Sequence, residues 1–348
     1  MLLSLVCGLL AVRAATSATT TAVNASSIAQ YAPIPSSAFG PAVSSAGYRI
    51  EPFGDGAYMV TDGIYQAMFL VSTDSVIVID APPTIGTNLL HAIGNTTNLP
   101  ISHVVYSHAH ADHIGAAYLY GSNVTTIAHE LTAEELSLTP DSRRPPPTIT
   151  FDHSYLLRVG NQTLDLAYWG LNHEPGNIFI YAPQQKILML VDIVFPGWVP
   201  FAYLGEAQNV PGFIKAHDQI LSYDFDHYIG GHLDRSGVRD DVEIQREYVQ
   251  DLRANCAEAI LLSASAPNAT NPISAYTILP AVSAVDPGNY WATFKTYLAD
   301  VSNYCANVTN EKWLGRLDGA DVYGYENAYQ MVESLRIDFD VLGPFGIS

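Results

Sequence analysis

The segment from Val104 to Ala116 reads Val-Val-Tyr-Ser-His-Ala-His-Ala-Asp-His-Ile-Gly-Ala, and its first three residues complete the strand-like run His103 to Tyr106. Its potential metal ligands are His108, His110, Asp112 and His113. In an extended chain, side chains two positions apart point to the same side, so His108 and His110 can face one ion. If a helix begins near residue 111, Asp112 and His113 project in another direction and can face a second ion. The segment therefore predicts a metal-binding loop at the end of a strand.

The ligand types limit the choice of metal. Imidazole combined with carboxylate suits zinc best among the common biological metals, and iron and manganese are the alternatives. We therefore expect Zn²⁺, at two ions per chain, with Fe or Mn as possible replacements.

Four further segments occur in the order of the motifs of the metallo-β-lactamase fold superfamily, whose metal-binding motif the His-Ala-His-Ala-Asp-His run resembles. They are Val76–Asp80, Gly170–Asn177, Met189–Asp192 and Tyr228–His232. The resemblance covers residues 48–235 and implies an α/β fold, a four-layer αββα sandwich. Residues 236–348 are predicted to form a helical C-terminal extension packed on this domain.

The resemblance also implies roles for individual side chains. One metal would be held by His108, His110 and His173, the other by Asp112, His113 and His232, and Asp192 would bridge the two. Asp112 is the predicted catalytic residue, which would orient the attacking hydroxide and carry a proton to the leaving group. Asp80 is expected either to support a ligand histidine or to cap its strand.

This ligand set implies a dinuclear metal-dependent hydrolase. A metal-bridging hydroxide would attack a small neutral or apolar ester, lactone, amide or thioester. Two alternatives stay open, an iron-dependent redox or oxygen-using enzyme on the same fold and an inactive metal-binding protein. The aromatic and proline-rich segment 194–212 follows Asp192 and is predicted to form an apolar wall or lid over the metals, with a loop that packs into the core as the alternative.

The charge of the chain excludes one class of partner. The formal net charge is −19, with 15 Lys and Arg against 34 Asp and Glu. Binding to nucleic acid depends on clustered basic side chains that neutralise phosphates. We therefore expect a small-molecule substrate and no nucleic-acid partner.

The N-terminal sequence and the asparagine sequons point to the eukaryotic secretory pathway. Residues 1–18 contain an apolar run too short to span a bilayer and read as a signal peptide, followed by an arm over residues 19–47. The sequons that predict a glycoprotein are at Asn24, Asn95, Asn123, Asn161, Asn268 and Asn307. We expect a secreted protein without a stable membrane anchor. Cys256 and Cys305 could form a disulfide or remain two buried thiols.

Overall fold

The strands fall into two consecutive blocks along the chain, and helices lie within both blocks and after the second, in a computed structural model that describes residues 29–268 and 270–346. The strands are β1 (Arg49–Gly54), β2 (Ala57–Thr61), β3 (Gln66–Val71), β4 (Val76–Ile79), β5 (Ile101–Val105), β6 (Thr125–His129), β7 (Ile149–Phe151), β8 (Ser154–Val159), β9 (Gln162–Ala167), β10 (Phe179–Ala182), β11 (Ile187–Met189) and β12 (His227–Ile229). The helices are α1 (Thr87–Thr96), α2 (Ala111–Ile114), α3 (Glu130–Leu138), α4 (Ala202–Glu206), α5 (Val210–Leu221), α6 (Arg239–Ser263), α7 (Ala275–Val285), α8 (Tyr290–Trp313) and α9 (Ala320–Ile337).

Two sheets result from these strands in the described part of the chain. The first has seven strands in the order β1 to β7, and the second has five in the order β12-β11-β10-β9-β8. Neighbouring strands from β4 to β7 are parallel, and so are β11 and β12. Parallel neighbours end at the same edge of a sheet, so the loops that follow them are brought together.

The inner faces of the two sheets pack against each other. Met59, Met68 and Ile77 of the first sheet share a buried cluster with Leu164 and Met189 of the second. The alternation along β9, whose leucines point inward while Asp165 is exposed, places one face of this strand in that cluster. The core between the sheets is therefore apolar and closed to solvent.

The outer faces of the sheets are covered by helices. Leu89 and Ile93 of α1 pack on Phe69 of the first sheet, while Phe213 of α5 and Val249 of α6 belong to the cluster on the second sheet. Fully burying side chains of this size contributes about 1.5–3 kcal/mol each. The predicted four-layer αββα sandwich is therefore confirmed.

The C-terminal residues form the predicted helical extension on the second sheet. Helices α7, α8 and α9 share the apolar cluster of α5 and α6, with Tyr297, Val301 and Met331 fully buried. Helix α7 was not singled out by the sequence, because Pro280 interrupts the pattern that indicates a helix. Cys256 of α6 and Cys305 of α8 form a disulfide, which decides between the two alternatives left open by the sequence.

Helix α2 begins near residue 111, where the sequence predicts a helix, but it is short. It ends at Ile114, and a short 3-10 turn covers residues 117–120. The carbonyl group of His113 accepts a hydrogen bond from the amide of Ala81 at 2.7 Å, and the amide of Ala116 donates to Ala81 at 2.9 Å. The backbone groups that would continue the helix are thus hydrogen-bonded to Ala81, which follows β4.

The predicted N-terminal arm, residues 19–47, lies partly within the described residues. The predicted signal peptide and the arm before residue 29 lie outside the described residues. The chain from Ala32 onward forms one compact unit, and the amide of Ala32 donates to Asp321 of α9 at 2.7 Å. No helix in the described residues has both the length and the apolarity needed to cross a membrane.

The disulfide gives a stability prediction. It joins residues separated by 49 positions, and a cross-link of that span restricts the unfolded chain by about 4 kcal/mol. The double variant Cys256→Ala, Cys305→Ala should lose about 2–4 kcal/mol of unfolding free energy in urea titrations. Wild-type protein treated with a reductant serves as the matched control, and its unfolding free energy should fall by a similar amount. Detection of both cysteines as free thiols in unreduced, unfolded protein would contradict the disulfide.

Candidate metal centre

The ends of parallel strands carry most of the candidate ligands. Asp80 follows β4 and His108 lies just after β5, so the pairing of these strands brings both residues to one edge. Asp192 and His232 likewise lie three positions after the paired strands β11 and β12. His173 lies on the loop between β9 and β10. The two sheets therefore deliver their loops to a common edge of the sandwich.

All seven predicted ligands meet at this edge in two groups. The first consists of His108, His110, His173 and Asp192, and the second of Asp112, His113 and His232. Within each group the potential ligand atoms lie within 4.8 Å of one another. His108 and His113 are fully buried, whereas Asp112 and His232 are partly exposed.

Asp192 contacts histidines of both groups. Its Oδ2 atom lies 3.3 Å from Nε2 of His108, 3.3 Å from Nε2 of His173 and 3.2 Å from Nε2 of His113. Its Oδ1 atom lies 2.8 Å from Nε2 of His232. One buried carboxylate therefore sits between the two groups, in the position that a bridging ligand requires.

Within each group, the distances between the donor nitrogen atoms fit ligands of one metal ion. Two nitrogen ligands at 2.0–2.1 Å from a tetrahedral zinc lie about 3.3 Å apart. The Nε2 atoms of His113 and His232 are 3.1 Å apart, and Nε2 of His173 is 3.0 Å from Nδ1 of His110. Nε2 of His108 is buried and makes no hydrogen bond to any described residue. The donor set thus fits divalent metal ions.

The charges around Asp192 balance one another. Burial alone would raise the pKa of Asp192, but the neighbouring His113, His173 and His232 hold it well below its usual range. Burial lowers the pKa of His113, but the negative charge of Asp192 outweighs this effect and raises it to about 9. Burial also lowers the pKa of His173 to about 4. Asp192 therefore attracts positive charge into the centre of the cluster, as protons or as metal ions.

Asp80 supports the metal-binding loop through the backbone. It is fully buried, and its Oδ1 atom accepts a hydrogen bond from the amide of Ser107 at 2.8 Å. The hydroxyl of Ser107 lies 2.9 Å from Nδ1 of His108 and leaves Nε2 facing the cluster. Asp80 thus positions the backbone next to His108, and Ser107 contacts the imidazole itself.

Glu174 is a member of the site that was not identified from the sequence. Its side chain is almost fully buried, with Oε2 2.7 Å from Nε2 of His110 and Oε1 accepting the amide of Ala109 at 2.8 Å. Burial would raise the pKa of Glu174, but the hydrogen bond with His110 outweighs this effect and lowers it to about 2. The only signal in the sequence was its position beside His173, within a segment already assigned to the site.

Tyr65 is a second member that was not identified from the sequence. It lies on the turn between β2 and β3, and its hydroxyl donates to Oδ2 of Asp112 at 3.1 Å. Its ring packs against His113 and His232, with centroid distances of 5.5 and 4.7 Å. A turn residue on a distant hairpin carries no sequence pattern that connects it to the histidines.

A cavity of about 350 Å³ opens onto the cluster. Its apolar side is formed by Ile64, Phe195, Trp198, Val199, Phe201, Leu233 and Tyr323. The acidic residues among its described lining are Asp112, Asp192 and Glu206, and this lining contains no Lys or Arg. The predicted apolar wall is thus present, and it includes a residue of α9 as well as the segment after Asp192.

The turn α4 in this wall has an unusual backbone. Tyr203, Leu204 and Glu206 have positive φ angles of 56°, 60° and 56°, on either side of Gly205 at 67°. Left-handed backbone costs about 1–2 kcal/mol for each residue with a Cβ atom. A Cβ atom at Gly205 would lie 3.1 Å from the carbonyl oxygen of Asp192, so this strained turn rests directly on the metal-site backbone.

The amino-acid sequence is similar to those of two known proteins from bacteria. The 2,4-dinitroanisole O-demethylase subunit alpha of Nocardioides sp. (strain JS1661) is 27% identical over 213 residues, which cover 60% of this chain and 63% of the relative. The chain thus spans less than two thirds of that relative's length. The metallo-beta-lactamase type 2 of Elizabethkingia meningoseptica is 23% identical over 203 residues, 55% of this chain and 78% of the relative.

Solved structures agree on the fold. A metallo-beta-lactamase from Pontibacter korlensis superimposes with a TM-score of 0.50 at 20% identity, covering 58% of this chain and 99% of that one. The family model of the metallo-beta-lactamase superfamily matches residues 60–250, more than half of the chain and all seven candidate ligands. The chain therefore belongs to the metallo-beta-lactamase superfamily.

Proposed function

We propose that this protein is a dinuclear metal-dependent hydrolase that cleaves small, uncharged carbonyl compounds such as esters, lactones, amides or thioesters. The observation that carries the proposal is the contact of Asp192 with histidines of both ligand groups, at 2.8–3.3 Å. A carboxylate between the two groups could serve as a ligand to two metal ions at once. In this proposal His108, His110 and His173 hold one ion, and Asp112, His113 and His232 hold the other.

Two divalent ions bound at these residues would lower the pKa of a water molecule between them and stabilise negative charge on a carbonyl oxygen. The carboxylate of Asp112 lines the cavity and is partly exposed, so it can accept the proton of the attacking water and pass it to the leaving group. Tyr65 donates a hydrogen bond to Asp112 and fixes the orientation of that carboxylate. Zinc suits this donor set best, and iron and manganese share the ligand preference.

Glu174 fixes the orientation of one proposed ligand. Because Nε2 of His110 faces the carboxylate of Glu174, Nδ1 is the nitrogen that faces the cluster. A carboxylate behind a ligand imidazole sets its tautomer and increases its basicity. Glu174 therefore acts on the metal through His110.

We also propose that the protein is secreted and glycosylated. The described sequon asparagines, Asn95, Asn123, Asn161, Asn268 and Asn307, are all exposed. The disulfide between Cys256 and Cys305 suits an oxidising compartment. The exposed sequons and the disulfide both support the prediction of a secreted protein that the N-terminal sequence suggests.

A second candidate function is the cleavage of activated aryl methyl ethers. It is favoured by the aromatic wall of the cavity and by the similarity to the O-demethylase subunit from Nocardioides. Attack of hydroxide on the ring carbon forms a carbon–oxygen bond, and the bond from that carbon to the methoxy oxygen breaks. The methoxide leaves with the electron pair and takes a proton to become methanol, so no oxidant is consumed.

The proposed chemistry predicts which substitutions abolish turnover. With 4-nitrophenyl acetate, γ-butyrolactone and 2,4-dinitroanisole as substrates, Asp112→Asn and His110→Ala should lower kcat/KM for the accepted substrate by about 10²–10⁴-fold. His153→Ala is the matched control, because the His153 side chain is 87% exposed and lies outside the site. Turnover of the dinitroanisole alone would favour the second candidate. Full activity after exhaustive chelation would contradict both.

The contact between Glu174 and His110 predicts a change in metal affinity. The amide of glutamine has a single accepting oxygen, so Glu174→Gln leaves either Ala109 N–H or His110 Nε2–H facing an NH₂ group. We expect zinc affinity at one of the two sites to fall about 10–100-fold in competition titrations with a fluorescent chelator. Glu134→Gln, at an exposed glutamate of α3, should bind zinc as the wild type does. Equal affinities for Glu174→Gln and the wild type would refute the role of Glu174.

A further inference from the structure

Helix α9 reaches the candidate active site although it lies far along the chain. Tyr323 of α9 lines the cavity, and its ring lies 4.8 Å from that of Phe201. The family model ends at residue 250, so α7, α8 and α9 lie beyond the part of the chain that it matches. A structural element outside the matched domain therefore contributes directly to the cavity wall.

The same helix holds the strained turn α4 in place. Asn327 is fully buried, its Oδ1 atom accepts the amide of Leu204 at 2.7 Å, and its Nδ2 atom donates to the carbonyl of Pro200 at 2.9 Å. These bonds attach both sides of Phe201 to α9. Because left-handed backbone is unfavourable for Leu204, the turn depends on such contacts to persist.

The residues just before α9 hold the next part of the wall. The amide of Val199 donates to the carbonyl of Asp318 at 2.9 Å, and the amide of Asp318 donates to the carbonyl of Gly197 at 3.0 Å. These two bonds lie on either side of Trp198, which lines the cavity. The aromatic side chains Trp198, Phe201 and Tyr323 are thus all positioned by α9 or by the residues that lead into it.

We infer that the C-terminal helical extension determines substrate specificity, and that α9 builds a wall selecting uncharged substrates with a bulky apolar group. This inference rests on the proposed hydrolase function. The wall offers aromatic surface to a substrate, and the carboxylate of Glu206 beside the wall disfavours a negatively charged group at that position. Tyr323 acts as a specificity-determining residue, and Asn327 acts as a positioning residue through α4.

Two esters with the same leaving group test the inference. For methyl octanoate, followed by acid release at constant pH, Tyr323→Ala should raise KM about tenfold while kcat stays within about twofold of the wild type. For methyl acetate, which carries no bulky group for the wall to contact, KM should change less than about twofold. Tyr325→Ala removes an aromatic side chain of the same helix outside the cavity lining and is the matched control.

A binding measurement separates this inference from the proposed chemistry. The uncharged ketone 2-acetonaphthone cannot be hydrolysed, and its binding can be followed by quenching of tryptophan fluorescence. Tyr323→Ala and Asn327→Ala should each weaken its binding about tenfold at unchanged metal content. If the wild type binds the ketone in this way but hydrolyses neither ester, the proposed function fails and the role of α9 in binding stands. Equal effects of Tyr323→Ala on both esters, or unchanged ketone binding, would overturn the inference.

Discussion

The carboxylate of Asp192 is the interaction on which the rest of the site depends. It is buried at the edge where the two sheets meet, and it lies within 3.3 Å of imidazoles from both ligand groups. Burying an ionised carboxylate without partners costs several kcal/mol, so the sheets must present their loops to it together. The loop after β5 supplies His108, and the loop after β12 supplies His232. Packing between the sheets and the electrostatics of the site therefore stabilise the same arrangement.

The amino-acid sequence predicts the parts of this arrangement that depend on local order. His108, His110, Asp112 and His113 lie on one short segment, and the alternation of strands and helices around them indicates the layered fold. The end of α2 at Ile114 is different, because it follows from hydrogen bonds to Ala81, which is distant in sequence. Boundaries decided by such tertiary contacts leave no local pattern.

Side chains that join the site from other elements were equally hard to predict. Tyr65 reaches Asp112 from a hairpin turn, and Glu174 becomes significant only when the loop between β9 and β10 is placed against His110. The sequence suggested that residues 194–212 form a wall, but no pattern linked them to Asn327 or Tyr323. The pairing of Cys256 with Cys305 likewise depends on how α6 and α8 pack.

The left-handed turn α4 connects the metal site to the C-terminal extension. Its strain is concentrated at Tyr203, Leu204 and Glu206, directly above the backbone of Asp192, and Asn327 offsets part of that cost with two hydrogen bonds. Strained backbone of this kind is characteristic of functional sites, where the surrounding structure determines a conformation that the chain would not adopt alone. The superfamily domain supplies the candidate ligands, and the added helices complete the cavity in front of them.

Anomalous diffraction from crystals of the protein grown with a divalent transition metal tests the central claim most directly. The account predicts two peaks about 3.5–4 Å apart, one on each side of the Asp192 carboxylate. The first peak should contact His108, His110 and His173, and the second should contact Asp112, His113 and His232. A map without metal peaks at these histidines, or with a single ion that does not touch Asp192, would contradict it.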